Sequence, residues 1–142
     1  MIYLRKIPVI IFLCIIFFSE NYAQLDEAAY NTTEVLIRYG ENNDIKSAAK
    51  LIYDDAAAKR AAQPGSTRTT EQGNNTVAMW LVSKIHGFVR LSDRFEITGV
   101  VKDYPEPGDT KVSVDFISGQ QRLETEFIYL SVDGQFMLKE IR

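Results

Sequence analysis

The sequence predicts an α+β fold, with N-terminal helices packed on one face of a curved antiparallel sheet of three to four strands, a cone-shaped roll. Three observations predict it. Apolar residues recur at helical spacing from Leu25 to Ile85. From Phe95 onward they alternate with polar residues, the period of a strand. Gly119-Gln120 and Asp133-Gly134 then divide this second half into hairpins. Helices followed by a run of strands, rather than interleaved with them, put all the helices on one side of the sheet.

Residues 1–23 stand outside that domain. Arg5 and Lys6 form a short positive region, Ile7 to Phe18 an apolar run, and Ser19 to Ala23 a polar stretch ending in a small residue. This is the order of a secretory signal peptide. The apolar run is about a dozen residues, whereas a spanning helix needs about 20. Cleavage after Ala23 is expected to leave a single domain, 24–142, exported to the periplasm or secreted, with no membrane span. The sole cysteine, Cys14, follows Leu13 inside the apolar run and leaves with it. The mature domain then has no disulfide or thiolate metal site and must rely on its core. Removing Arg5, Lys6 and Glu20 takes the formal charge from −3 to −4. Cations are scattered among acids with no basic stripe, which argues against nucleic acid as a partner.

In the first helix Leu25, Ala28, Ala29, Thr32, Leu36 and Tyr39 share a stripe. Gly40 is suited to the left-handed residue that ends it. Asn43 or Asp44 can cap a second helix, in which Ile45, Ala48, Ala49, Ile52 and Ala56 repeat the stripe until it fades near Ala62. Gln63 to Asn75, polar and glycine-containing, is read as a mobile loop. From Thr76 to Gly87 the spacing of Ala78, Leu81, Val82 and Ile85 favours a short helix stopped by Gly87, although Val77 to Val82 also fits a buried strand.

Phe95, Ile97 and Val101 open the strand pattern, and Pro105 to Asp109 form a turn. Closing a two-residue loop at Gly119-Gln120 sets Phe116 opposite Leu123, Val114 opposite Thr125 and Val112 opposite Phe127, all on one face. The Asp133-Gly134 turn sets Tyr129 opposite Leu138 and Phe127 opposite Glu140 on that face. It sets Leu130 opposite Met137 and Ile128 opposite Lys139 on the other. The last hairpin is therefore apolar on both sides, which a sheet with a solvated back should not be.

With these elements the chain resembles the nuclear-transport-factor-2-like superfamily, the cystatin-like α+β roll, and most of all its small exported bacterial members. The residues behind the resemblance are Tyr39-Gly40-Glu41-Asn42-Asn43-Asp44 and the helix from Ile45. With them go the strand pair Val112 to Phe116 and Leu123 to Val132, and the closing Val132-Asp133-Gly134-Gln135-Phe136-Met137-Leu138. The resemblance implies a curved sheet wrapped on helices around a cone-shaped cavity. It implies no one reaction, because the fold hosts enzymes, binding modules and dimerisation domains.

Cavity enzymes of that superfamily carry a carboxylate or histidine on the inner face, where burial can move its pKa into a useful range. In this register only Glu140 points inward, near a strand end. His86 is the single histidine, which argues against a multi-histidine metal site. There is no Gly-x-Ser-x-Gly and no glycine-rich loop with a following lysine. No metal or cofactor is expected. The aromatics are the remaining resource: Tyr39, Trp80, Phe116, Phe127 and Tyr129 are the candidate lining of an apolar ligand pocket. Ile128, Leu130, Val132 and Met137 on the back of the sheet are candidates for a homodimer or partner contact. The expected function is therefore a non-enzymatic exported module that binds a partner protein or a small apolar ligand. The alternative is a cavity enzyme of isomerase or dehydratase type using Glu140 or His86.

Overall fold

A computed structural model describes residues 27–55, 58, 59 and 70–142, with 70–75 described by their backbone alone. The expected signal peptide, Cys14, the domain start at Gln24 and residues 63–69 of the expected loop lie outside the described residues. The chain is α+β, as the sequence predicts, with helices packed on an open four-stranded antiparallel sheet.

The first helix, α1, covers residues 27–41. Its left-handed terminator is Asn43 (φ 52°), not Gly40. The turn beyond it is held by Asp44 N–H donating to the Tyr39 carbonyl at 2.8 Å and Asn42 Nδ2 donating to the Arg38 carbonyl at 2.9 Å. Gly40 stays helical and serves a different purpose. A Cβ there would lie 2.3 Å from Ile85 Cγ2, so the residue lets α1 approach the helix that carries Ile85.

Asp44 caps α2 (Ile45–Ala48), its carboxylate accepting from Ser47 N–H at 3.1 Å. The helix does not run to Ala62. It tightens into a 3-10 turn at Ala49–Leu51, and Ile52 becomes extended (φ −112°, ψ 128°). Ile52 bridges Leu138 in parallel, and Tyr53 N–H donates to the Leu138 carbonyl at 2.8 Å. A strand edge far along the chain has outcompeted the local helical stripe. The next helix, α3 (Thr70–Arg90), is longer than expected at both ends. It takes in Thr70 to Asn75, expected as loop, passes through Gly87, and rules out the strand reading of Val77 to Val82. Ser92 closes it, its hydroxyl donating to the Phe88 carbonyl at 2.9 Å.

The sheet runs in the order β1 (Arg94–Lys102), β2 (Asp109–Ser118), β3 (Gln121–Val132) and β4 (Gln135–Ile141). The β2–β3 register is the expected one: Phe116 faces Leu123, Val114 faces Thr125 and Val112 faces Phe127. Next to the Asp133-Gly134 turn, Tyr129 faces Leu138 and Leu130 faces Met137, again as expected. Two bulges overturn the outer parts of the pattern. In β1 the register shifts between Ile97 and Gly99, so Val100 joins the core and Val101, expected inward, is exposed. Beside Ile128 and Tyr129 a second shift makes Lys139 the extra residue of β4. Ile128 then faces Glu140 and Phe127 faces Ile141. Ile141 is buried in the core where Glu140 was expected.

The core lies between the helices and the inner face of the sheet. Leu36 and Ile37 of α1 and Ala78, Leu81, Val82 and Ile85 of α3 pack with Val112, Val114, Phe116, Phe127, Tyr129 and Leu138. Tyr129 is fully buried; Thr33 Oγ donates to the Ala29 carbonyl at 2.8 Å, so the Tyr129 hydroxyl is the donor in its 2.7 Å bond to Thr33.

The outer face is not the open apolar patch expected. Ile128 is fully buried, Leu130 and Met137 are half-buried, and Val132 is exposed at the turn. Around them runs a charged lattice: Lys111 pairs with Glu126 at 3.0 Å, and Lys139 with Asp109 at 3.0 Å and Glu106 at 3.4 Å. Lys111 Nζ also sits 4.4 Å from the Tyr104 ring centroid. The β1–β2 connection thus reaches across this face, and lysine stems cover apolar surface while their heads stay in water.

Candidate functional site

The expected pocket residues do not converge on one cavity. Phe127 and Tyr129 are fully buried, Tyr39 is half-buried against the core, and Phe116 is buried except at one edge. Burial raises the Tyr129 phenol well above its ordinary value. Trp80 is 59% exposed on the outer side of α3, with Lys84 Nζ 5.2 Å from its ring centroid.

The two candidate acid–base groups are also apart. Glu140 lies on the outer face beside Ile128, bonded to Arg142 Nη2 at 3.0 Å. That bond, more than the nearby charges of Arg142, Lys139 and Lys84, holds its carboxyl below the ordinary range. A carboxylate so stabilised is a weak base and is not tuned for proton transfer near neutrality. His86 sits about one turn before the C-terminal end of α3, and its Nδ1 lies 2.9 Å from the Gly40 carbonyl, so this nitrogen carries the proton. Its ring ties α3 to the end of α1 at the close crossing that Gly40 permits. Among the described residues, no group of three or more His, Cys, Asp or Glu side chains is arranged to hold a metal. No helix there is long and apolar enough to cross a membrane.

What the fold does build is a groove at the C-terminal end of α3, against the β2–β3 hairpin. Phe88, Leu91, Phe116 and Leu123 line it, with Ser92, Ser118, Gln121 and Arg122 at the rim; its volume is about 200 Å³. The floor is aromatic: the Phe88 and Phe116 centroids are 5.2 Å apart and tilted, and Phe95 stands 6.4 Å behind Phe116. The walls are open, with Leu91 79% and Leu123 47% exposed. Two exposed leucines thus stand beside the half-buried Phe88 and the buried Phe116, apolar surface left in water at the mouth of a concavity. The polar rim offers little chemistry. Ser92 spends its hydroxyl on the Phe88 carbonyl, and Arg122 pairs with Asp115 at 3.1 Å. The groove can bind an apolar group, but it presents no nucleophile with a base beside it.

The sequence contained one signal for this site. Leu123 falls on the inner face by its register, but at the hairpin tip, beyond the helices that would cover it. Leu91 follows the last helical turn, where the periodic stripe has ended. No protein-family model and no curated protein matches the chain.

Proposed function

We propose that this is an exported, non-enzymatic domain of the cystatin-like roll type that binds a partner protein by taking an apolar side chain into the groove between α3 and the β2–β3 hairpin. The observation that carries this is the pairing of a phenylalanine floor with two exposed leucine walls at Leu91 and Leu123. Size decides between the two kinds of ligand. Pockets for drug-sized molecules run to about 300–1,000 Å³, and a groove of about 200 Å³ suits one or two side chains. The helix-then-sheet order and the two hairpins support the roll assignment, and the sequence order of residues 1–23 supports export.

The test is affinity capture from the native host with the parent and a Leu91→Asp variant. Leu91 is too exposed for this change to disturb the fold. The parent should retain a partner that the variant releases; equal retention by both refutes the site.

A further inference from the structure

We infer that Asp93, a residue outside the lining of the groove, is the clasp that holds its two walls at binding distance; the inference rests on the groove reading above. One wall is the end of α3, with Leu91 and Ser92, and the other is the β2–β3 hairpin, with Ser118 and Leu123. Asp93 follows Ser92 directly and precedes β1. Its backbone N–H donates to the Ile117 carbonyl at 2.7 Å, and its Oδ2 accepts from Gly119 N–H at 2.8 Å. Ile117 and Gly119 stand on either side of Ser118. The two bonds therefore grip the hairpin around a rim residue of one wall, from the residue next to the rim of the other.

The hairpin supplies the donor that this grip uses. Ser118 pairs with Gln121, so Gly119 and Gln120 are the two loop residues, and the Gly119 amide lies outside the strand ladder. Gly119 has φ 57°, which glycine adopts freely. Without the Asp93 carboxylate this amide would turn to water. The tip would then lean on α3 through apolar contact, with the Phe88 and Phe116 centroids 5.2 Å apart. Apolar contact is non-directional, whereas a hydrogen bond to a carboxylate is directional and stronger than a neutral one. On the helix side Ser92 fixes the last turn, its hydroxyl donating to the Phe88 carbonyl at 2.9 Å.

Asp93 acts through the walls and is a positioning residue. Its removal leaves the fold standing. The side chain is exposed, the backbone bond to Ile117 stays, and Arg94 still pairs with Ile117 at the start of β1. What falls is the fraction of molecules whose hairpin tip sits at binding distance from Leu91. A site preorganised for its ligand avoids that cost, and apparent affinity drops in proportion to the competent fraction. Asp93→Asn still offers an amide oxygen to Gly119 N–H and keeps the clasp, whereas Asp93→Ala removes it. Both variants lose the charge, so the difference between them isolates the hydrogen bond.

Two NMR measurements on the same variants read this. The first needs no ligand: Asp93→Ala should speed exchange of the Gly119 amide with water by about threefold or more, and Asp93→Asn by much less. The second titrates N-acetyl-leucine methylamide and follows the Leu91 and Leu123 methyls. Asp93→Ala should raise the dissociation constant by about three- to tenfold, with Asp93→Asn recovering most of the loss. Asp44→Ala, which weakens the protein at the α2 cap, should bind the probe as the parent does. A Gly119 exchange rate that Asp93→Ala leaves unchanged overturns the inference. So does an unchanged affinity, or an Asp93→Asn protein no better than Asp93→Ala. An equal loss of affinity in Asp44→Ala also overturns it, by reducing the effect to general stability. A parent whose Leu91 and Leu123 methyls never move with the probe removes the groove as a binding site, a failure that the exchange rates distinguish from failure of the clasp.

Discussion

Replacing Gly40 with alanine tests the packing that positions α1 against α3. The added methyl would sit 2.3 Å from Ile85 Cγ2 and 2.7 Å from Ile85 Cβ. Carbon atoms in contact prefer about 3.5–4.0 Å, so the two helices must part by about 1 Å or more. Ile85 is fully buried and has no room to turn away. The same movement stretches the 2.9 Å contact between His86 Nδ1 and the Gly40 carbonyl. Overpacking of this kind costs about 1–3 kcal/mol, and the weakened hydrogen bond about 1 kcal/mol more. Against this, alanine is better than glycine in a helix by about 1 kcal/mol. The net expectation is a loss of about 1–3 kcal/mol, read in urea unfolding as a lower midpoint with an unchanged slope. Truncating Ile85 to alanine removes Cγ2, so Gly40→Ala combined with Ile85→Ala should cost less than the sum of the single changes. A Gly40→Ala protein as stable as the parent would refute the close crossing and return Gly40 to the role of a simple helix terminator.

Three further outcomes follow from single groups. Tyr129 keeps its proton more tightly folded than unfolded, so its contribution is full below the ordinary pKa of 10 and is lost as pH rises toward its higher folded value. Thermal melts above pH 10 should therefore show a steeper loss in the parent than in Tyr129→Phe, which should itself cost about 1 kcal/mol at neutral pH. The Asp44 carboxyl is held below its ordinary 3.8, first by the bonds from Ser47, so its cap is complete above pH 3.8 and fails as pH falls through the lower folded value. Asp44→Ala should be less stable than the parent at pH 7 by chemical denaturation, with the gap closing in acid. Glu140→Gln removes only a partly exposed pair with Arg142 and should change stability by less than about 1 kcal/mol; a larger loss would mean the outward placement of Glu140 is wrong.

How much of this was legible depends on where the deciding interaction lies. Both hairpin registers were readable, because a two-residue turn and the alternation beside it are local and had to agree. Glu140 was misplaced by one extra residue, Lys139, which carries no mark in the sequence. The β1 bulge did leave a mark, a glycine at Gly99 inside a strand pattern, and reading it would have put Val100 inward in place of Val101. The second helix ended early because Ile52 found a backbone partner at Leu138, a contact that no stripe near residue 52 can report. Gly40 invites a similar error: a glycine at a helix end reads as a terminator, whereas Ile85, distant in sequence, sets its role. The groove was half legible. Leu123 was assigned to the inner face, but its exposure depends on how far α3 extends, and Gly87 suggested that the helix stops sooner than it does.

The most direct test of the binding account is a methyl-detected NMR titration with a peptide library that displays leucine, isoleucine or phenylalanine in extended segments. Binding peptides should shift the Leu91 and Leu123 methyls first and most, and Leu91→Asp should abolish those shifts while Val112 and Leu138 stay in place. Shifts centred on Trp80 or on Leu130 and Met137, with Leu91 and Leu123 unmoved, would contradict it.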